Sequence, residues 1–130
     1  MPGFVERAQC RAPAEEVWKL LHDPGRFGEW WGGWERTEEP SADGTLTRYD
    51  ARWPDFAYPT QVSTRREESR VVVSCLLSDI LHEWTLEPAP EGCAVKVRVE
   101  VPEEEAARLD GVQDDVRVAL GRLVARAERG

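Results

Sequence analysis

Among the side chains able to move protons, His82 has the most suggestive setting. In the run His82-Glu83-Trp84-Thr85-Leu86-Glu87 the positions alternate, which places His82 on one side of a strand with Trp84 and Leu86 and leaves Glu83, Thr85 and Glu87 on the other. An imidazole on such a wall has the chemistry of a general base or of a donor that orients a ligand. A core histidine with satisfied hydrogen bonds is the plainer alternative. Tyr49 falls on the expected inner side of its own strand, and Glu6 interrupts the apolar side of the first strand, where a carboxylate needs a partner or a proton. His22, beside Asp23 at the end of a helical stretch, reads as a complement to the helix dipole.

Six tryptophans are many for a chain of 130 residues. Trp18 lies on a helical apolar stripe and reads as core. Trp30, Trp31 and Trp34 are interspersed with Gly28, Gly32 and Gly33, a composition that suits either the rim or lid of a cavity or simple packing. Trp53 and Trp84 project inward and line either core or cavity. With Tyr49 they offer flat surfaces and a hydroxyl suited to an aromatic ligand. The candidate binding set is therefore Trp31, Trp34, Tyr49, Trp53, His82 and Trp84, with His82 the candidate catalytic residue.

Other chemistries find no support. There is no HExxH, no GxSxG and no glycine-rich phosphate loop, and the two histidines and three cysteines are scattered, so neither metal nor cofactor is expected. Cys10, Cys75 and Cys93 show no CxxC spacing and are expected to be reduced. A formal net charge of -8 opposes binding to phosphate backbones, so nucleic acid is not an expected partner. Glu6 and Arg7 interrupt the N-terminal stretch where a signal peptide needs an apolar core, and no run reaches membrane-spanning length. The expectation is a cytoplasmic monomer or homodimer without stable membrane association.

These residues need elements to hold them. At 130 residues, 41% hydrophobic and 32% charged, the chain suits one globular domain spanning residues 1–130. Residues 4–12 alternate as a half-buried strand. Pro13, followed by Glu15 and Glu16, opens a helix over 13–22 whose apolar side is Val17, Trp18, Leu20 and Leu21. Asp43-Gly44 marks a hairpin turn. Strands are expected near 45–53, 60–67, 70–77, 80–87 and 93–101, broken by Pro54, Pro59, Ser78-Asp79 and the segment 88–92. On the first of these, Arg48, Asp50 and Arg52 are expected on the wet face, with Thr47, Tyr49, Ala51 and Trp53 inside. Short connections imply an antiparallel meander. Asp110 and Gln113 resemble a capping box opening a helix over 111–128, whose stripe of Val112, Val116, Ala119, Leu120, Leu123 and Ala127 would cover the apolar sheet face.

This order of elements resembles the START-like, or SRPBCC, superfamily, which includes polyketide cyclases, lipid-transfer START domains, plant pathogenesis-related proteins and Hsp90-activator homologues. The residues that carry the resemblance are 12–18 (Ala-Pro-Ala-Glu-Glu-Val-Trp), Asp23-Pro24 through Trp30-Trp31, and 82–88 (His-Glu-Trp-Thr-Leu-Glu-Pro). The Gly-Trp pair that opens the last helix of the Hsp90-activator-like branch is replaced here by Gly111-Val112. The resemblance implies an α+β helix-grip fold, a curved antiparallel sheet of six to seven strands wrapped around a long C-terminal helix, with a hydrophobic ligand between them. Three functions are compatible with it. The first is a container for a small hydrophobic or aromatic molecule. The second is a cofactor-independent cyclase or dehydratase-like enzyme using His82 as base and Tyr49 or Glu6 as proton donor. The third is a protein-interaction module presenting an exposed aromatic segment at Trp30 to Trp34.

Overall fold

In the computed structural model, which describes residues 2–38 and 41–130, seven strands and two α-helices follow in the order β1 (Gly3–Cys10), α1 (Ala14–Leu21), β2 (Arg36–Thr37), β3 (Thr45–Asp50), β4 (Trp53–Arg65), β5 (Arg70–Cys75), β6 (Leu81–Ala89), β7 (Gly92–Glu100) and α2 (Leu109–Arg129). The strands form one curved antiparallel sheet in the order β1-β7-β6-β5-β4-β3-β2. From β2 to β7 it is a meander, and β1 closes the far side against β7, with Phe4 opposite Val99 and Cys10 opposite Cys93. Together with α2 across it, this is the helix-grip α+β architecture.

Alternation sets the faces. On β7, Cys93, Val95, Val97 and Val99 are buried, while Arg98 on the other face joins Glu83 at 3.0 Å. Trp84 of β6 stands opposite Val97 and Val71, and all three belong to the core. From α1 this core receives Val17, Trp18, Leu20 and Leu21, and from α2 it receives Val116, Ala119, Leu120, Leu123 and Ala127. Each fully buried aliphatic side chain removed from water contributes about 1.5–3 kcal/mol, so these two stripes fix both helices to the sheet.

Glu6 finds the partner its position demands. Its Oε2 accepts hydrogen bonds from Gln113 Nε2 at 2.9 Å and Arg117 Nε at 3.1 Å, tying β1 to the first turns of α2. That use of Gln113 replaces the expected capping box. The helix begins at Leu109 as a continuation of a 3-10 turn over Glu103–Arg108, with no side-chain cap.

The largest departure lies between β3 and β4. Asp50 Oδ1 accepts the Arg52 N–H at 2.9 Å and closes a tight turn, as aspartate does through its own backbone. The chain therefore reverses at residues 51–52 instead of at Pro54. Both Pro54 and Pro59 lie within β4, but β5 pairs only with Thr60–Arg65, so the prolines lie beyond the ladder that would need their missing N–H groups. A register irregularity between Arg48 and Asp50 accompanies the turn. Leu46 and Asp50 are buried on this face, and Arg48 and Asp50 line the pocket described below. The faces of this strand are thus the reverse of those expected.

Candidate functional site

A pocket of about 140 Å³ opens at the end of the sheet where β3, β4, β5 and β6 meet the start of α2. Its aromatic walls are Trp31, Trp34, Trp53 and Tyr58, its aliphatic contacts include Val73, Ile80 and Val112, and its polar side chains include Arg48, Thr60, Cys75 and His82. A volume of this order is enough for one benzene ring, although charged residues, Asp50, Arg52, Arg108 and Asp115 among them, also line this pocket.

The segment after α1 supplies the first wall. Asp23 caps a 3-10 turn over Pro24–Glu29 through its Oδ1, which accepts from the Gly25 N–H. The chain then packs inward. Trp30 Nε1 donates to the Leu20 carbonyl at 3.2 Å, and Phe27 meets Trp34 edge-on at 4.9 Å between centroids. Trp30, Trp31 and Trp34 are all buried. The exposed aromatic patch required by an interaction module at Trp30 to Trp34 is therefore not present, because these rings satisfy one another and the core. Gly28 makes the packing possible, since a Cβ there would lie 2.6 Å from the Trp34 carbonyl oxygen.

Of the six residues read from the sequence as a binding set, the fold brings Trp31, Trp34, Trp53 and His82 to the pocket. Trp53, 55% exposed, stands at the mouth. Trp84 is fully buried and is not part of the wall; it packs against Trp30 and Trp31 at 5.1 and 5.4 Å. Tyr49 is a correction. Reversal of the β3 faces carries it to the outer side, where its hydroxyl donates to Glu38 at 2.7 Å and Arg36 lies 3.7 Å from its ring centroid. Glu6, bound to α2, does not line the pocket either.

The same reversal brings in residues that the sequence reading placed in water. The Arg48 guanidinium donates to the Gly33 carbonyl through Nη1 at 2.7 Å and lies 4.4 Å from the centroid of Tyr58 and 5.4 Å from that of Trp34. The peptide at Gly33 can approach this closely because the residue adopts φ +95° and has no Cβ. Asp50, 4% exposed, grips Arg52 through Nε at 3.0 Å and Nη2 at 2.6 Å. One signal was available: Leu46 is the one large aliphatic side chain of β3, and Arg48 and Asp50 share its parity. Setting the phase on Leu46 rather than on Tyr49 and Trp53 places both inside.

Electrostatically the pocket is unlike the surface. Burial pushes the His82 imidazole down to about 3, and the nearby Arg48 charge adds to the shift. The ring, set edge-on to Trp31 at 5.0 Å, is therefore neutral at any ordinary pH. Burial also lowers the Arg48 pKa from its ordinary value. Burial tends to raise the Cys75 thiol, but hydrogen bonds from the Ser78 side chain and from the Ser78 and Leu77 amides, together with Arg48, outweigh it and hold the thiol below the usual value.

A family model described as polyketide cyclase/dehydrase and lipid transport matches residues 1–128. The chain belongs to this family. Its helix-grip backbone is shared by solved structures at low identity. A Mesorhizobium loti protein, MLL2253, is 14% identical with a TM-score of 0.81 over 98% of each chain. A Bacillus halodurans protein, BH1534, is 13% identical with a TM-score of 0.78, again over 98% of each. DynU16, titled a putative protein in the dynemicin biosynthetic locus, is 19% identical with a TM-score of 0.72; the match covers 97% of this chain and 47% of that one. No curated protein matches. Family membership supports a hydrophobic-ligand or cyclase-like role, and among the described residues no helix is long and apolar enough to cross a membrane.

Proposed function

We propose that this chain binds one small planar aromatic molecule in the pocket between its sheet and α2, and that it acts as a container rather than as an enzyme. The observation that carries this reading is a ring-sized pocket of about 140 Å³ whose walls are Trp31, Trp34, Trp53 and Tyr58. Large rigid aromatic surfaces bind flat ligands at low entropic cost.

Support for binding over turnover comes from the proton inventory. A base is most effective when its pKa lies near the working pH, and an imidazole held near 3 is a poor acceptor. Neither proposed donor faces it, since Tyr49 lies on the outer side and Glu6 is held by Gln113 and Arg117. Neutral His82 is better suited to orient a ligand by a hydrogen bond.

The test is quenching of tryptophan fluorescence by a panel of single-ring arenes. Trp31→Ala is expected to weaken binding by about 1–3 kcal/mol, as loss of a buried aromatic anchor does, whereas Tyr49→Phe leaves it unchanged. A panel without any quenching, or equal effects of the two substitutions, would reject the assignment.

A further inference from the structure

We infer that the ligand of this pocket is a planar aromatic carboxylate, with Arg48 as its counter-ion and His82 as a second hydrogen-bond partner. The inference rests on the container reading and adds the charge of the ligand to it.

Three arginines and two aspartates line the pocket of a chain whose net charge is -8. Two of those arginines are already engaged. Arg52 is held by Asp50 at 2.6 Å, and Arg108 is bridged to Glu105 at 3.5 Å. Asp115, exposed at the rim, acts on Arg52 through its charge. Among the described residues no carboxylate lies within 4.0 Å of Arg48; its guanidinium donates to the Gly33 carbonyl and interacts with the Cys75 side chain, and Asp50, already bound to Arg52, acts on it only through its charge. A guanidinium with five donors is thus held over Tyr58, part-desolvated, with an N–H edge unspent. Withdrawing a cation from water without an ion pair of its own is unfavourable, the more distant Asp50 charge offsetting only part of the cost, and an incoming anion relieves the rest.

The shape of the donor selects the anion. A planar guanidinium fork matches the two oxygens of a carboxylate. Among the described residues the His82 ring and the Tyr58 hydroxyl also have no hydrogen-bond partner, and both line the same pocket. A phosphate ester would bring a second charge into a site with one uncommitted cation. The ring of an aromatic acid would occupy the space between Trp31, Trp34 and Val73, and the volume admits about one ring.

Calorimetry at neutral pH with benzoate and cinnamate, each against its isosteric amide, tests this on the unaltered protein. The acids are expected to bind at least about tenfold more tightly than the amides, as hydrogen bonds to a charged group allow. In Arg48→Gln the preference for acid over amide should disappear, whatever the change in the amides' own affinity; Arg48→Lys should retain part of the preference. Melting curves of the unliganded variants establish that they fold. Equal affinity for acid and amide in the unaltered protein overturns the inference but leaves the container standing, as does binding of neutral arenes alone. A preference that survives Arg48→Gln removes Arg48 from its role. Failure of acids, amides and neutral arenes alike overturns both readings.

Discussion

His82 shows how one side chain can report its surroundings. Its imidazole, with an ordinary pKa of 6.5, is held at about 3 in the fold, so the unfolded chain binds a proton there that the folded chain refuses. Stability linked to this group is complete above about pH 6.5 and is lost as the pH falls from there toward 3, with a slope of at most about 1.4 kcal/mol per pH unit. The difference between the unaltered protein and His82→Gln over the interval between pH 6.5 and 4.5 isolates this imidazole from the other titrating groups of the chain. Denaturant melts across that interval should show declining stability, and His82→Gln should flatten the slope; an unchanged slope would mean that the ring is solvated. The cysteines divide in the same manner. Cys93 is pushed up to about 11 by burial and its neighbour Cys10, while Cys75, half-buried in the pocket wall, is lowered. Thiolate character governs alkylation, so iodoacetamide should label Cys75 first, and a saturating ligand should slow that labelling. Peptide mapping by mass spectrometry distinguishes the three sites.

At the scale of elements, α2 and the aromatic segment hold the pocket in place. Leu120→Asp puts a charge without a partner into the interface between helix and sheet, where Leu120 is 4% exposed, and should cost about 4 kcal/mol, measurable in urea melts. Gly28→Ala should cost about 1–3 kcal/mol and also weaken ligand binding, because the new Cβ forces the Trp34 backbone away. These elements differ in how far they could be read from residues alone. The stripes of α1 and α2 and the alternation of β6 and β7 run unbroken, so period alone fixed their faces. The β3–β4 hairpin could not be read that way. Its turn depends on the Asp50 side chain bonding the Arg52 N–H, and its prolines lie where no neighbouring strand demands a donor. One misplaced reversal exchanged Tyr49 for Arg48 and concealed the polar half of the site. Alternation places Trp84 on the inner face, yet face alone does not distinguish a wall from the layer behind it; Trp31, arriving from a distant segment, covers it.

For the whole molecule, the backbone and the pocket carry different information. Solved structures at 13–14% identity reproduce the backbone over nearly its whole length, so the arrangement of sheet and helix survives almost complete exchange of side chains. The contents of the pocket depend on side chains that such likeness does not transmit, among them Arg48 and its approach to Gly33. The pocket is nevertheless coupled to the fold as a whole, because its wall is assembled from the aromatic segment, β3 to β6 and the start of α2. A ligand that touches all of them binds only when the sheet, the helix and the aromatic segment are docked together, so it should stabilise the entire unit rather than one loop. At a free concentration one hundred times its dissociation constant, such a ligand adds about 2.7 kcal/mol to unfolding. In a chain of this size that corresponds to a rise of about 10 °C in the melting midpoint. Calorimetric scans should show this rise as a shift of a single transition. A second transition left at the original temperature would instead mean that the pocket segment unfolds separately from the sheet. Arg48→Gln should lose more of the rise with an aromatic acid than with the matching amide, and that difference distinguishes stabilisation through the guanidinium charge from stabilisation through the aromatic walls.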